Sequence, residues 1–109
     1  MLQLKLTKKK VLIDRRALKE INKFPREVEQ EISSMIKILE DTGRLSEPCA
    51  KKIRGKLFEI RINHRGQWRV LYYYCFDSLI IALSAFKKTQ QKTPLKEIKK
   101  AENRLKEYI

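Results

Sequence analysis

Apolar residues recur along this chain with two different periods. Between residues 15 and 42 they return every three or four positions, and between residues 57 and 86 they alternate, so helices come first and strands follow. Val11 to Ile13 reads as a short opening strand. Asp14 is placed to cap a helix through Lys23 whose Leu18 and Ile21 point inward, and Pro25 closes that helix and starts the next. The second helix runs to Thr42, with Val28, Ile32, Met35, Ile36 and Leu39 on one face and Gly43 as its stop. Together they form a helical hairpin.

After a loop through Pro48 the pattern changes. Leu57 to Ile62 is a strand, Asn63 to Gln67 a hairpin loop, Trp68 to Phe76 a second strand, Asp77-Ser78 a turn, and Leu79 to Phe86 a third strand. Thr93-Pro94 opens a last helix with Leu95, Ile98, Ala101, Leu105 and Tyr108 as its inward stripe. The expected fold is α+β: an N-terminal helical hairpin packed on a three- to four-stranded antiparallel sheet, then a C-terminal helix, in a single domain over residues 1–109.

A loop centred on Arg65 fixes the strand register. Ile62 faces Trp68, Ile60 faces Val70 and Phe58 faces Tyr72; across the next turn Tyr72 falls beside Leu83, Val70 beside Ala85 and Tyr74 beside Ile81. That face is wholly apolar and aromatic and carries the core. On the other face Arg61 lies opposite Arg69, with Glu59 one step along and Phe86 beside Arg69. Facing guanidiniums repel, so an anion belongs between them. By alternation Lys88 points to the same side. The expectation is a cationic surface on an open sheet face, built from Arg61, Arg69 and Lys88, with Lys56, His64 and Arg65 on its rim. Lys87 and Lys92 extend it, and Tyr73, expected to be exposed while Tyr72 and Tyr74 are buried, is a candidate for stacking on a base. The plainer alternative is that the two arginines are unrelated solvated residues, or that Glu59 neutralises one of them.

Charge sharpens the picture. The 109 residues carry a net charge of +13, concentrated toward the end: residues 51–69 have seven basic side chains against one acidic, and residues 86–109 have eight against three. Such density attracts polyanions, because each phosphate neutralised releases condensed counterions. No apolar run approaches the roughly 18 residues of a membrane span, and Met1 to Lys10 lacks an apolar signal segment, which places the chain in the cytoplasm with no membrane partner. Cys49 and Cys75 have neither metal-site nor disulfide spacing, so neither a metal nor another cofactor is expected. His64 is the only histidine, which excludes a two-histidine ribonuclease mechanism. RNA cleavage remains open without either, since a 2′-hydroxyl can attack its neighbouring phosphorus when the phosphate is held and its charge stabilised by Arg and Lys. Glu59, or a lysine whose pKa is depressed amid other cations, is available to carry protons. Such a site is slow on free RNA and gains from a larger partner that orients the substrate.

The stretches Lys56 to Arg61, Trp68 to Tyr73 and above all Ala85 to Ile98 resemble the phage-derived, HigB-like branch of the RelE/ParE toxin superfamily, over about residues 11–108. The resemblance implies a RelE-like fold, metal-independent cleavage of mRNA in the ribosomal decoding site, and neutralisation by a cognate antitoxin, often a helix-turn-helix DNA-binding protein. By position Arg69 resembles the strand arginine that binds the scissile phosphate, Arg61 the second basic residue of the preceding strand, and Lys88 the cationic residue after the last strand. Arg69→Ala is then expected to silence the activity and leave the fold intact. Glu59 stands where RelE has a basic residue, and Thr93-Pro94 occupies the region of its late tyrosine, so proton-transfer roles stay open. Two other readings fit the scaffold: a ParE-like inhibitor of DNA gyrase, and a non-catalytic basic nucleic-acid-binding protein.

Overall fold

Helix starts and stops follow the local chemistry. The computed structural model describes residues 8–76 and 78–109 and orders them as β1 (Lys10–Ile13), α1 (Arg15–Ile21), α2 (Arg26–Thr42), β2 (Ala50–Arg54), β3 (Leu57–Asn63), β4 (Gln67–Phe76), β5 (Leu79–Lys88) and α3 (Leu95–Leu105). Asp14 caps α1, its Oδ1 accepting from the backbone N–H of Arg16 at 2.8 Å and of Ala17 at 3.3 Å. Gly43 ends α2 in the left-handed region at φ 81°, where its N–H reaches the Leu39 carbonyl. Residues 1–7 and Asp77 of the expected β4–β5 turn lie outside the described residues.

The sheet runs β1-β5-β4-β3-β2, with β1 parallel to β5 and the other pairs antiparallel. The expected meander is its centre. β2, to which the sequence pattern assigned no element, adds an edge strand beside β3. The β3–β4 register is the expected one, Ile62 with Trp68, Ile60 with Val70, Phe58 with Tyr72 and Arg61 with Arg69. Between β4 and β5, Val70 pairs with Ala85 as expected, but Tyr72 pairs with Ala82 and Tyr74 with Ile80. A bulge adds one residue to β5 and shifts the pairing from Tyr72 to Tyr74, and a second irregularity in β4 restores it at Phe76 with Leu79.

Helices cover both faces of the sheet. On one face Val28, Ile32 and Leu39 of α2 and Ile21 of α1 pack on Ile60, Ile62, Trp68, Val70, Tyr72 and Ala85. On the other, Ile98, Ala101 and Leu105 of α3 pack on Leu57, Leu71, Ile81, Leu83 and Phe86. The face expected to be open is therefore open only where α3 leaves it. Three expected inward residues point elsewhere: Leu18 is 43% exposed, Leu95 54% and Tyr108 37%. Ala17 takes the inward place in α1, and α3 ends at Leu105.

β1 pairs only with the Leu79–Ala82 half of β5, and side chains close the rest of that edge. Glu20 of α1 accepts the Ala85 backbone N–H at 3.0 Å, and Arg104 of α3 donates to the Leu83 carbonyl at 2.8 Å. Arg104 also grips Glu20 through both carboxylate oxygens, at 2.9 and 3.0 Å. At the same seam Asp14 Oδ2 accepts from Tyr108 at 2.7 Å and from Arg16 at 2.8 Å. The Arg16 guanidinium, with Tyr108 and two backbone donors adding to it, holds the Asp14 carboxyl far below the usual carboxylate range.

Candidate functional site

Alternation carries Glu59 and Arg61 of β3, and Gln67 and Arg69 of β4, onto the face that α3 half covers. Past the end of α3 this face opens into a cleft of about 310 Å³. Its floor is Glu59 and Arg61. Lys51, Lys52 and Ile53 of β2 form one wall, and Lys88, Gln91, Lys92 and Thr93 form the other. Five cations and one carboxylate thus share the lining.

Burial places Arg69 behind this cleft. It is 2% exposed, like Glu59, whereas the Arg61 side chain keeps 32% exposure. Arg69 donates from Nη1 to the Trp68 carbonyl at 2.9 Å and from Nη2 to Gln67 Oε1 at 3.0 Å, while its Nε has no hydrogen-bond partner. The Nε groups of Arg61 and Arg69 stand 3.7 and 3.8 Å from Glu59 Oε1. Thr93 donates to Glu59 Oε2 at 2.7 Å. The anion expected between the two guanidiniums is therefore a residue of the chain, and Glu59 lies within ion-pair distance of both. Arg69 is not on an open face, so the expectation that Arg69→Ala spares the fold is replaced by the cost of uncovering a buried carboxylate.

The surroundings also set protonation. Burial, with the Arg61 charge adding to it, lowers the Arg69 pKa against the opposing pull of Glu59. Lys88 is likewise lowered, by desolvation first and then by the charges of Arg69, Arg61 and Lys51, with Glu59 opposing. Lys88 is the lysine depressed amid other cations that the sequence pattern anticipates.

The cleft gathers Arg61, Lys88, Glu59 and Lys92, with Arg69 behind them. His64 and Arg65 sit in the β3–β4 loop, outside the lining, and Lys87 crosses to the opposite face, its Nζ 5.2 Å from the Trp68 ring centre. Lys56 and Tyr73 lie at the other end of the β3–β4 ladder, in a separate groove; Tyr73 is half-buried, as is Tyr74, which was expected in the core. Sequence reasoning missed Lys51, Lys52 and the Thr93 hydroxyl. The signal for the lysines was the run Ala50 to Arg54 immediately before the hairpin, whose lysines hid a strand.

Among the described residues no group of His, Cys, Asp and Glu could hold a metal, Cys49 and Cys75 are free, and no helix is long and apolar enough to cross a membrane. The family model of the phage-derived protein Gp49-like matches residues 19–106. Among solved structures the chain is similar to a free-state double arginine-to-alanine mutant of the E. coli toxin RelE, with TM-score 0.69 and 20% identity over 90% of this chain and 98% of that one. It is also similar to the intact E. coli RelBE toxin–antitoxin complex, with TM-score 0.56 and 25% identity over 73% and 96%. The RelBE2 toxin–antitoxin complex of Mycobacterium tuberculosis gives TM-score 0.56 and 16% identity over 79% and 98%. Comparison with curated proteins gives no match.

Proposed function

Because this chain belongs to the phage-derived Gp49-like family of the RelE/ParE superfamily, we propose that it is the toxin of a toxin–antitoxin pair and that it cuts mRNA on the ribosome. The observation that carries the reading is the cleft, where Arg61 and four lysines converge with only the internal Glu59 to balance them. That imbalance suits a phosphodiester. The similar RelBE structures contain antitoxins, which supports a cognate antitoxin here, using an acidic segment to fill the cleft.

In the proposed reaction the scissile phosphate enters between Arg61 and Lys88. The 2′-hydroxyl oxygen bonds to phosphorus, the bond from phosphorus to the 5′-oxygen breaks, and the products are a 2′,3′-cyclic phosphate and a 5′-hydroxyl. Arg61 stabilises the charge that develops on the phosphoryl oxygens. Lys88, poised to give up a proton by its depressed pKa, protonates the leaving 5′-oxygen. Glu59 is a positioning residue: Thr93 and Arg69 hold it, and it aims Arg61 into the cleft. Glu59, the one carboxylate of the cleft among the described residues, is already engaged by Thr93 and two guanidiniums, so the ribosome orients the strand and a solvent or ribosomal group takes the 2′-hydroxyl proton.

The test is a map of mRNA 5′ ends after brief induction of the unaltered chain beside Arg61→Ala and Lys88→Ala, with translation initiation blocked in a parallel culture. Codon-phased ends that require translation, and that fall by about 100-fold in Arg61→Ala, are the expected result. Growth arrest without new ends would overturn the reading.

A further inference from the structure

We propose a second RNA-binding site at the far end of the sheet, reached from the cleft along β2. Two adjoining grooves, of about 630 and 640 Å³, meet at Gly55 and Lys56 in the β2–β3 turn. The first lies between that turn and α3, and Arg54, Lys56, Lys99 and Lys106 surround Tyr73 within it. The second continues past the turn to Lys9 and to Phe76, which is 63% exposed. Among the described residues Glu102 is the single acid that lines either groove, and Arg54 already holds it through both oxygens at 2.9 and 2.6 Å. Lys9, Lys56, Lys99 and Lys106 have no carboxylate within ion-pair distance among the described residues.

Unpaired cations beside an exposed aromatic ring are the means by which proteins hold single-stranded nucleic acid: the cations follow the phosphates, and a base stacks on the ring. A duplex offers no free base face to Phe76. The cleft and the groove also connect. Lys51 and Lys52 line the cleft, Arg54 and Lys56 line the groove, and all four lie within one short edge of the sheet. Arg61 and Tyr73 lie on the same face, four residues apart along the β3–β4 ladder or about 14 Å. One RNA strand can therefore run from its cut point at Arg61 to Tyr73 on this face and turn over Gly55 and Lys56, which places a flanking base at Phe76 beside Tyr74 on the other face.

The inference rests on the reading of this chain as an RNA-acting protein, but its test is binding, read apart from cleavage. Affinity for a twelve-nucleotide 2′-O-methyl oligouridylate is measured against salt for the unaltered chain, for Phe76→Ser, and for the triple variant Lys56→Gln, Lys99→Gln, Lys106→Gln. All four positions are exposed, and circular dichroism confirms that the variants fold. The triple variant is expected to weaken binding at least tenfold and to lower the slope of log K against log salt by about 2. Phe76→Ser is expected to weaken it about fivefold with the slope unchanged. Unchanged affinity in the triple variant would overturn the site, and an effect of the lysines without one of Phe76 would overturn its assignment to a single strand. Loss of binding in the groove variants while induction of the unaltered chain yields no new mRNA ends would leave the site standing and refute the proposed function.

Discussion

In the seam between α1 and α3, the carboxylates of Asp14 and Glu20 accept from guanidinium, phenol and backbone donors, nearly all at 2.7 to 3.0 Å. In the cleft the same residue types meet on other terms: Glu59 stands 3.7 and 3.8 Å from its two guanidinium nitrogens, and five cations share it. The difference lies in saturation rather than in chemistry. A filled carboxylate fixes one element against another and has nothing left to offer a ligand. A carboxylate outnumbered by cations leaves attraction unspent, which a phosphate can claim.

Three measurements put this difference to the test. Arg69→Ala takes the buried partner from Glu59 and is expected to lower stability by about 3–5 kcal/mol in urea denaturation, whereas Arg69→Met combined with Glu59→Leu recovers most of it. A single change that costs nothing would show that the buried pairing is not structural. Glu20→Ala leaves the Ala85 N–H without its acceptor and Arg104 with only the Leu83 carbonyl, and is expected to cost about 2–3 kcal/mol while leaving RNA affinity per folded molecule unchanged. A fall in affinity at equal folded fraction would join the seam and the cleft into one functional unit.

The third measurement is acidification. Asp14 has its folded pKa depressed, so its contribution is whole above the ordinary carboxylate value and is lost as pH falls toward the folded one. The stability gap between the unaltered chain and Asp14→Asn is expected to narrow by about 2 kcal/mol between about pH 7 and about pH 2.5. A gap independent of pH would mean that Asp14 acts only through its shape as a helix cap.

Patterned segments were legible in the sequence and collective properties were not. Leu57 to Ile62 alternates, and a polar five-residue loop separates it from the strand that opens at Trp68, so the pairing of Arg61 with Arg69 followed from spacing alone. The bulge in β5 was hidden, because Leu79 to Phe86 is apolar on both faces and any register satisfies it. β2 was hidden by Lys51 and Lys52, residues that an edge strand uses against unwanted pairing and that a loop also carries. The burial of Arg69 depended on the packing of α3, the contact with Glu59 and the Gln67 amide together, and no local pattern records that sum.

The parallel pairing of β1 with β5 has a consequence for the order in which the molecule comes into being. Lys10–Ile13 can find its partner only after Leu79–Ala82 has been synthesised, and Glu59 gains its Thr93 hydroxyl later still. Contacts so distant along the chain close slowly. A ribosome making this protein has therefore passed Thr93 before the cleft is complete, so the convergence of its cations belongs to the folded molecule and to no shorter nascent segment.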